Sequence, residues 1–298
     1  MPERFDAADT DRLIRALPCW QGAVRIAPLD GGMTNRNFKV EDDQGRFVVR
    51  LGQDLPAHGI LRWHEQAVAR AAHAAGVSPQ VVHAGPGVLV SRFIDGQTLG
   101  APQVRDPARR DAIVALLRQC HHELPRQLHG PVLMFWVFQV IRDYLAVLQP
   151  HAPCLMQDQL QRWAAMAQAL EQAVGPVDIV FGHNDLLAAN LIDDGRRLWL
   201  IDWEYAGFNS PLFDLAGLAV NNGFDDDQAR DLLERYFQQP LEAGRWRSFA
   251  AMRCASALRE TLWAVVSHHT SDIAVDHAAY ARQCRQALDQ AWRDFDRC

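Results

Sequence analysis

In the stretch "FGHNDLLAANLI" (181–192), a histidine, an aspartate and an asparagine share one loop bracketed by apolar residues. An aspartate followed closely by an asparagine suits phosphoryl transfer, which asks a protein chiefly for positioning and charge neutralisation. Asp185 would orient an attacking hydroxyl and accept its proton, and Asn190 would offer magnesium a hard amide oxygen. A second metal ligand has to come from nearby. The segment "LIDDGRRLWLID" supplies it, because a turn at Asp194–Gly195 returns Asp202 to the neighbourhood of Asn190. A turn cap and a core histidine would explain single residues but not four residue types at fixed spacing together with a hairpin. A metal-dependent hydrolase built on a His/Asp/Asp set would carry more histidine or carboxylate ligands than this stretch contains.

Written out, H-N-D-L-L-A-A-N matches the kinase catalytic loop H-R-D-L-x-x-x-N, with Asn184 where protein kinases have arginine. Other protein-kinase signatures are missing from the sequence: no G-x-G-x-x-G-x-V, V-A-I-K, D-F-G or A-P-E. The glycine-rich turn is the short "DGGMTN" (30–35), whose glycines and Thr34 and Asn35 amides could cradle phosphates.

The elements that must position these groups can be read from periodicity. "VRIAPL", "NRNFKVE" and "RFVVRL" predict three strands over 24–51, separated by the turn signals "DGG" and "DDQG". "HGILRWHEQAVARAAHAAG" predicts a helix closed by Gly76 and Pro79, and "QVVHAG" and "GVLVSRFI" add two strands by about residue 94. Helical patterns follow near 105–124, 134–148, 155–174, 226–238, 244–268 and 275–296, interrupted by the strand-like island that carries the motif. The expectation is an α+β, bilobal protein-kinase-like fold with a small antiparallel β-sheet lobe and a larger, mainly helical lobe. Residues 1–94 would form the nucleotide-binding lobe, and 95–298 the lobe holding the catalytic loop and acceptor site. The cleft between them is the expected ligand site.

Composition narrows the function classes. With 298 residues, 49% hydrophobic and 22% charged, the chain reads as an ordinary globular protein that can bury a full core. A net charge of -6 gives no electrostatic footprint for nucleic acid. The longest apolar block, "VLMFWVFQVI", is too short to span a bilayer, so no membrane role is expected. The N-terminal segment has no apolar signal-peptide core, and six cysteines without C-x-x-C spacing read as free thiols, so the cytoplasm is the expected compartment. The pairs His121/His122 and His268/His269 read as surface histidines, since adjacent helical residues do not face one another. Lys39 is the single lysine; every other long cation is arginine.

The run "HNDLLAANLIDDGRRLWLIDWEYAGFNSPLFDLAGLAVNN" resembles the choline/ethanolamine kinase family, within the wider aminoglycoside-phosphotransferase-like group. "DGGMTNRNFKV", "FVVRL" and "SRFIDGQTL" resemble that family's small-lobe motifs in the right order, so the likeness covers roughly residues 25–225. The resemblance implies a kinase that uses ATP and Mg2+, with Asp185 as catalytic base and Asn190 and Asp202 as metal ligands. It implies that Arg50 contacts the ATP phosphates, paired with Glu65, with Lys39 as the competing cation. It places "SRFI", and hence Phe93, at the adenine hinge. Asp214 would brace the catalytic loop.

On the acceptor side the resemblance implies Trp263, with Tyr205 and Glu204 of "DWEY", around a small cationic amino alcohol. Choline comes first and ethanolamine second. An aromatic face suits a quaternary ammonium through cation–π attraction. The chain departs from the family pattern at Val266, where many members carry a second tryptophan, and at Asn221, where an acid is expected. Those departures keep other acceptors open, thiamine or an aminoglycoside among them. A nucleotide-binding pseudokinase is the reading from another class, and it would ordinarily have lost Asp185, Asn190 or Asp202.

Overall fold

A computed structural model describes residues 7–29, 34–151, 154–270 and 276–297. Helix α1 (Ala7–Arg15) precedes strands β1 (Arg25–Leu29), β2 (Arg36–Asp42) and β3 (Gly45–Leu51). Helix α2 (Arg62–Ala74) follows, then β4 (Val81–Gly85) and β5 (Val88–Arg92). These five strands form one antiparallel sheet in the order β1-β2-β3-β5-β4. Period-two alternation gives each strand two duties. Phe38, Val40, Phe47, Val49, Val88 and Val90 join Ile14 of α1 in a small core. The intervening residues Asn37, Val48, Arg50, Leu89 and Ser91 line a cavity on the other face. Arg50 reaches the cleft because Val49 and Leu51 turn the other way.

Helix α2 stops where the sequence predicts. Gly76 takes a φ of +76, and its N–H bonds the carbonyl of His73 at 2.8 Å, the left-handed turn that glycine makes at low cost. Beyond the sheet, β6 (Gln97–Thr98) pairs with β8 (Leu191–Asp193), not with β5. Then come α3 (Ala101–Arg105), α4 (Arg110–His122), α5 (Val137–Leu148) and α6 (Cys154–Val174). The motif island holds β7 (Val180–Gly182), β8, β9 (Leu198–Leu200) and β10 (Gly207–Asn209). Helices α7 (Pro211–Asn221), α8 (Asp226–Phe237), α9 (Ala243–Thr270) and α10 (His277–Asp296) complete the larger, helical part. Helix α9 is its axis and packs against α5, α6, α7 and α10.

Two elements departed from their sequence patterns. Helix α7 escaped the periodicity reading because Pro211 to Ala219 are all buried, so the segment has no polar face to alternate with. The 105–124 helix is broken into a short 3-10 turn at Pro107–Arg109 and α4, with Asp106 capping the turn by accepting from Ala108 N. The histidine expectation also needs correction. His122, His268 and His269 are exposed, but His121 is 1% exposed and sits in the core. Because adjacent helical residues point apart, a pair at the edge of a buried face sends one member inward. Cys19, Cys120, Cys254 and Cys284 are free thiols. Among the described residues no helix is long and apolar enough to cross a membrane.

Candidate active site

Strand β7 leads into the H-N-D-L-L-A-A-N loop, and Asp214 of α7 fixes its shape. The Asp214 carboxylate accepts the N–H groups of His183 and Asn184, both at 2.7 Å, and meets His121 Nε2 at 2.9 Å. Burial works against its ionisation, but the His121 hydrogen bond and charge hold Asp214 below the usual carboxylate range. Asn184 has a φ of 66, and its side-chain amide donates to the carbonyls of Tyr205 (3.0 Å) and Gly207 (3.2 Å). A Cβ on Gly182 would lie 2.7 Å from Asn184 Oδ1 and 3.2 Å from Asp214 Oδ2, so this packing requires glycine. His183 is fully buried; it hydrogen-bonds the Ile201 carbonyl and lies against Trp203, with burial lowering its basicity. It is a structural member of the loop.

The loop and hairpin bring Asp185, Asn190 and Asp202 together. Asn190 Nδ2 donates to the Asp185 carbonyl at 2.9 Å, which leaves its Oδ1 as the atom available to a metal. The Ile201 N–H bonds the Asn190 carbonyl at 3.0 Å, setting the next residue, Asp202, beside it. Asp202 has a φ of 74, an uncommon conformation for a non-glycine residue and one often kept for function. Arg50 Nη1 lies 2.6 Å from both Glu65 Oε1 and Asp202 Oδ1. Burial opposes ionisation of Asp202, yet the Arg50 charge keeps it below the ordinary range. No group of three or more His, Cys, Asp or Glu side chains able to hold a metal occurs among the described residues. An amide oxygen and one carboxylate instead fit magnesium, which keeps few protein ligands and takes the rest from phosphates and water.

Asn190, Asp202, Arg50 and Glu65 line a cavity of about 420 Å³, together with Phe93, Leu89 and Ile192. Phe93 contributes its ring; its N–H is taken by the Arg46 carbonyl at 2.9 Å. Lys39 pairs with Glu41 at 3.1 Å and lies over Phe93. Thr34 and Asn35 turn their side chains to Glu204, with Thr34 Oγ1 donating at 2.8 Å and Asn35 Nδ2 at 3.5 Å. The rest of the expected glycine-rich turn, Asp30 to Met33, lies outside the described residues. Glu204 also accepts from Arg62 at 3.0 Å, and Arg62 in turn bonds Glu65 at 2.7 Å and the Thr34 carbonyl at 3.2 Å. Burial and the Asp202 charge raise Glu204 to about 7, against the pull of Arg50 and Arg62. Arg62 therefore ties the first turn of the sheet to the helical part. It went unremarked in the sequence, although its i,i+3 spacing to Glu65 was visible.

The other side of Asp185 is aromatic. Tyr205 is buried, and the Trp263 indole N–H donates to its hydroxyl at 2.8 Å. Trp263 is 4% exposed, enclosed by His58, His277 and Tyr280. Arg259, also unmentioned in the sequence reading although it stands one helical turn before Trp263, lies 4.4 Å over the Tyr205 ring. Its Nη1 is 2.8 Å from Glu260 and 3.9 Å from Asp185. Burial pushes Asp185 up to about 8, opposed by Arg259 and reinforced by Glu260, Asp202 and Glu204. A larger cavity of about 590 Å³ opens beside Glu204 and Tyr205, lined by Met134, Phe135, Val140 and Ile179. Asn190 and Asp202 line the smaller one, and Glu204 and Tyr205 the larger.

Similarity to known proteins points to one family. The family model described as choline/ethanolamine kinase matches residues 26–230, more than half of the chain. Protein LicA of Haemophilus influenzae is 28% identical over 215 residues, which is 70% of this chain but only 62% of that protein. Ethanolamine kinase 2 of Mus musculus is 28% identical over 302 residues, covering 91% of this chain and 77% of its own. The crystal structure of a choline/ethanolamine kinase family protein from Mesorhizobium loti superposes with a TM-score of 0.76 at 28% identity, covering 97% of each chain.

Proposed function

The chain belongs to the choline/ethanolamine kinase family, and from that premise we propose that it transfers the γ-phosphate of ATP to the hydroxyl of choline or ethanolamine. In this reading residues 1–94 hold the nucleotide and 95–298 carry the catalytic loop and the acceptor site. The observation that carries it is that Asn190, Asp202 and Arg50 line one cavity walled by the sheet, with Asp185 hydrogen-bonded to Asn190 beside it.

The roles follow from the chemistry of each group. Arg50, held by Glu65, is a long cation pre-positioned for the ATP phosphates. Asn190 and Asp202 would hold magnesium, which when bound supplies positive charge against those phosphates. Asp185 orients the acceptor hydroxyl and accepts its proton. A carboxylate pushed toward 8 by burial is a far stronger base than an exposed one, and its basicity is matched to neutral pH. Arg62 and Glu204 keep the first turn of the sheet in reach of the site.

The direct experiment is ATP turnover with choline, ethanolamine, thiamine and an aminoglycoside, each with and without magnesium. Magnesium-dependent turnover of choline or ethanolamine is the expected result. Turnover of thiamine or the aminoglycoside alone would reject the amino-alcohol assignment while leaving the kinase chemistry intact.

A further inference from the structure

Building on the amino-alcohol reading above, we propose that Arg259 sets the class of amine this site accepts. By stacking on Tyr205 it fills the aromatic face with the protein's own cation, which leaves the site to alcohols bearing a primary ammonium and disfavours quaternary ones.

The geometry is specific. Arg259 is 4% exposed, with its Cζ 4.4 Å from the Tyr205 ring centroid and 5.8 Å from that of Phe135. Its Nε and Nη2 are buried and have no hydrogen-bond partner, so those N–H groups rest against ring faces. Only Nη1 is engaged with oxygen, at Glu260 and toward Asp185. A quaternary ammonium has no N–H and depends on aromatic faces for its binding. Around Asp185 the ring of Tyr205 already carries a guanidinium, and Trp263 is enclosed on its own side by His58, His277 and Tyr280. A trimethylammonium brought to Tyr205 would meet a like charge at short range.

A primary ammonium has different needs, because three N–H donors seek oxygens. Glu260 offers a carboxylate held in place on both sides: Arg259 bonds Oε2 at 2.8 Å and the Tyr280 hydroxyl donates to Oε1 at 2.7 Å. Its side chain is 23% exposed, so it can still be reached by a ligand. Arg259 thus serves twice, covering the aromatic face and orienting the carboxylate that would receive the ammonium. It is a specificity-determining residue acting through Tyr205 and Glu260.

The test compares wild type, Arg259→Ala and Arg259→Lys for kcat/KM toward ethanolamine and choline, and for binding of tetramethylammonium by calorimetry. Wild type should favour ethanolamine by roughly ten-fold or more, and Arg259→Ala should shift the ratio toward choline by about the same factor. Tetramethylammonium should bind Arg259→Ala at millimolar concentration, occupying the vacated face, but not bind wild type or Arg259→Lys, which keeps a cation there. If Arg259→Ala does not fold, Arg259→Gln, neutral and of similar length, should shift both readouts in the same direction. A wild type that prefers choline overturns the proposal. So does a neutral variant in which both acceptors decline together and tetramethylammonium still fails to bind. If wild type phosphorylates neither amine, the acceptor assignment falls. The tetramethylammonium comparison then decides the role of Arg259 by itself.

Discussion

The two sides of Asp185 are built on opposite principles. Toward the nucleotide cavity, charges are paired: Arg50 and Arg62 share Glu65 within the small lobe and reach across to Asp202 and Glu204 of the large one. Toward the acceptor, Tyr205, Trp263, His58 and Tyr144 form a mostly neutral, buried aromatic set with one charged pair, Arg259 and Glu260. In the proposed kinase the nucleotide side would meet a polyanion and a cation that do not vary, and its charges restrain one another. In the same reading the acceptor side would fit one small molecule among many, and a single buried side chain there, Arg259 as proposed above, would change what it fits.

The largest expected effect tests the group that both sides share. Asp185→Asn keeps size and polarity but removes the base, so kcat should fall by about two orders of magnitude or more while Mg·ATP affinity persists. Near-normal turnover would remove Asp185 from the mechanism. Next comes the nucleotide side alone. Arg50→Ala should raise the KM for ATP by roughly ten-fold or more, with little change in the acceptor KM, because it removes the cation facing the phosphates and leaves Asp202 without its ion-pair partner, while Arg62 still holds Glu65. Lys39→Ala should change neither by more than about two-fold, since Lys39 is occupied with Glu41 at the surface. If the two variants exchanged these effects, Lys39 would be the phosphate ligand.

A smaller effect is expected from the acceptor side alone. Trp263→Phe keeps an aromatic ring but deletes the indole N–H that holds the Tyr205 hydroxyl. Losing one buried neutral hydrogen bond costs about 1 kcal/mol, so the acceptor KM should rise by roughly five-fold with the ATP KM unmoved. A matching rise in both constants would mean that Trp263 supports the whole lobe and not this side of the site.

This asymmetry also explains what could be read in the sequence. The sheet, α2, the hairpin and the nearness of Asp185, Asn190 and Asp202 were legible because a strand alternates by two, a turn needs its glycine and a hairpin returns its far end to its start. Arg50 was legible through its place on the third strand. Arg62 and Arg259 were not, because a buried arginine looks like a surface one until its partners are known, and this chain uses arginine for every long cation but one. His121 was misread for a related reason: its partners, Asp214 and Tyr236, lie 93 and 115 residues away. Helix α7 was hidden by its own burial. Periodicity reports amphipathic elements well and fully enclosed ones poorly.

The smallest effect concerns how each side responds to acid. His58 stands 8% exposed between the Tyr144 hydroxyl (3.3 Å) and Ser267 Oγ (3.1 Å), stacked near Trp263. Burial lowers it to about 4, with Arg259 and His277 adding to the effect. Its folded value lies below that of the unfolded chain, near 6.5, so the unfolded state binds the proton more readily. Stability therefore stays level above about pH 6.5 and is lost as the pH falls from there toward 4. At pH 5.5 the loss from this one group amounts to about 1 kcal/mol. His58→Gln cannot take up the proton, so its denaturation midpoint should fall less steeply between pH 6.5 and 5 than that of wild type. The difference between the two curves isolates His58 from every other titrating group. Parallel curves would mean that His58 binds its proton equally well in the folded and unfolded chain, so that its burial beside Tyr144 and Ser267 does not hold the ring neutral.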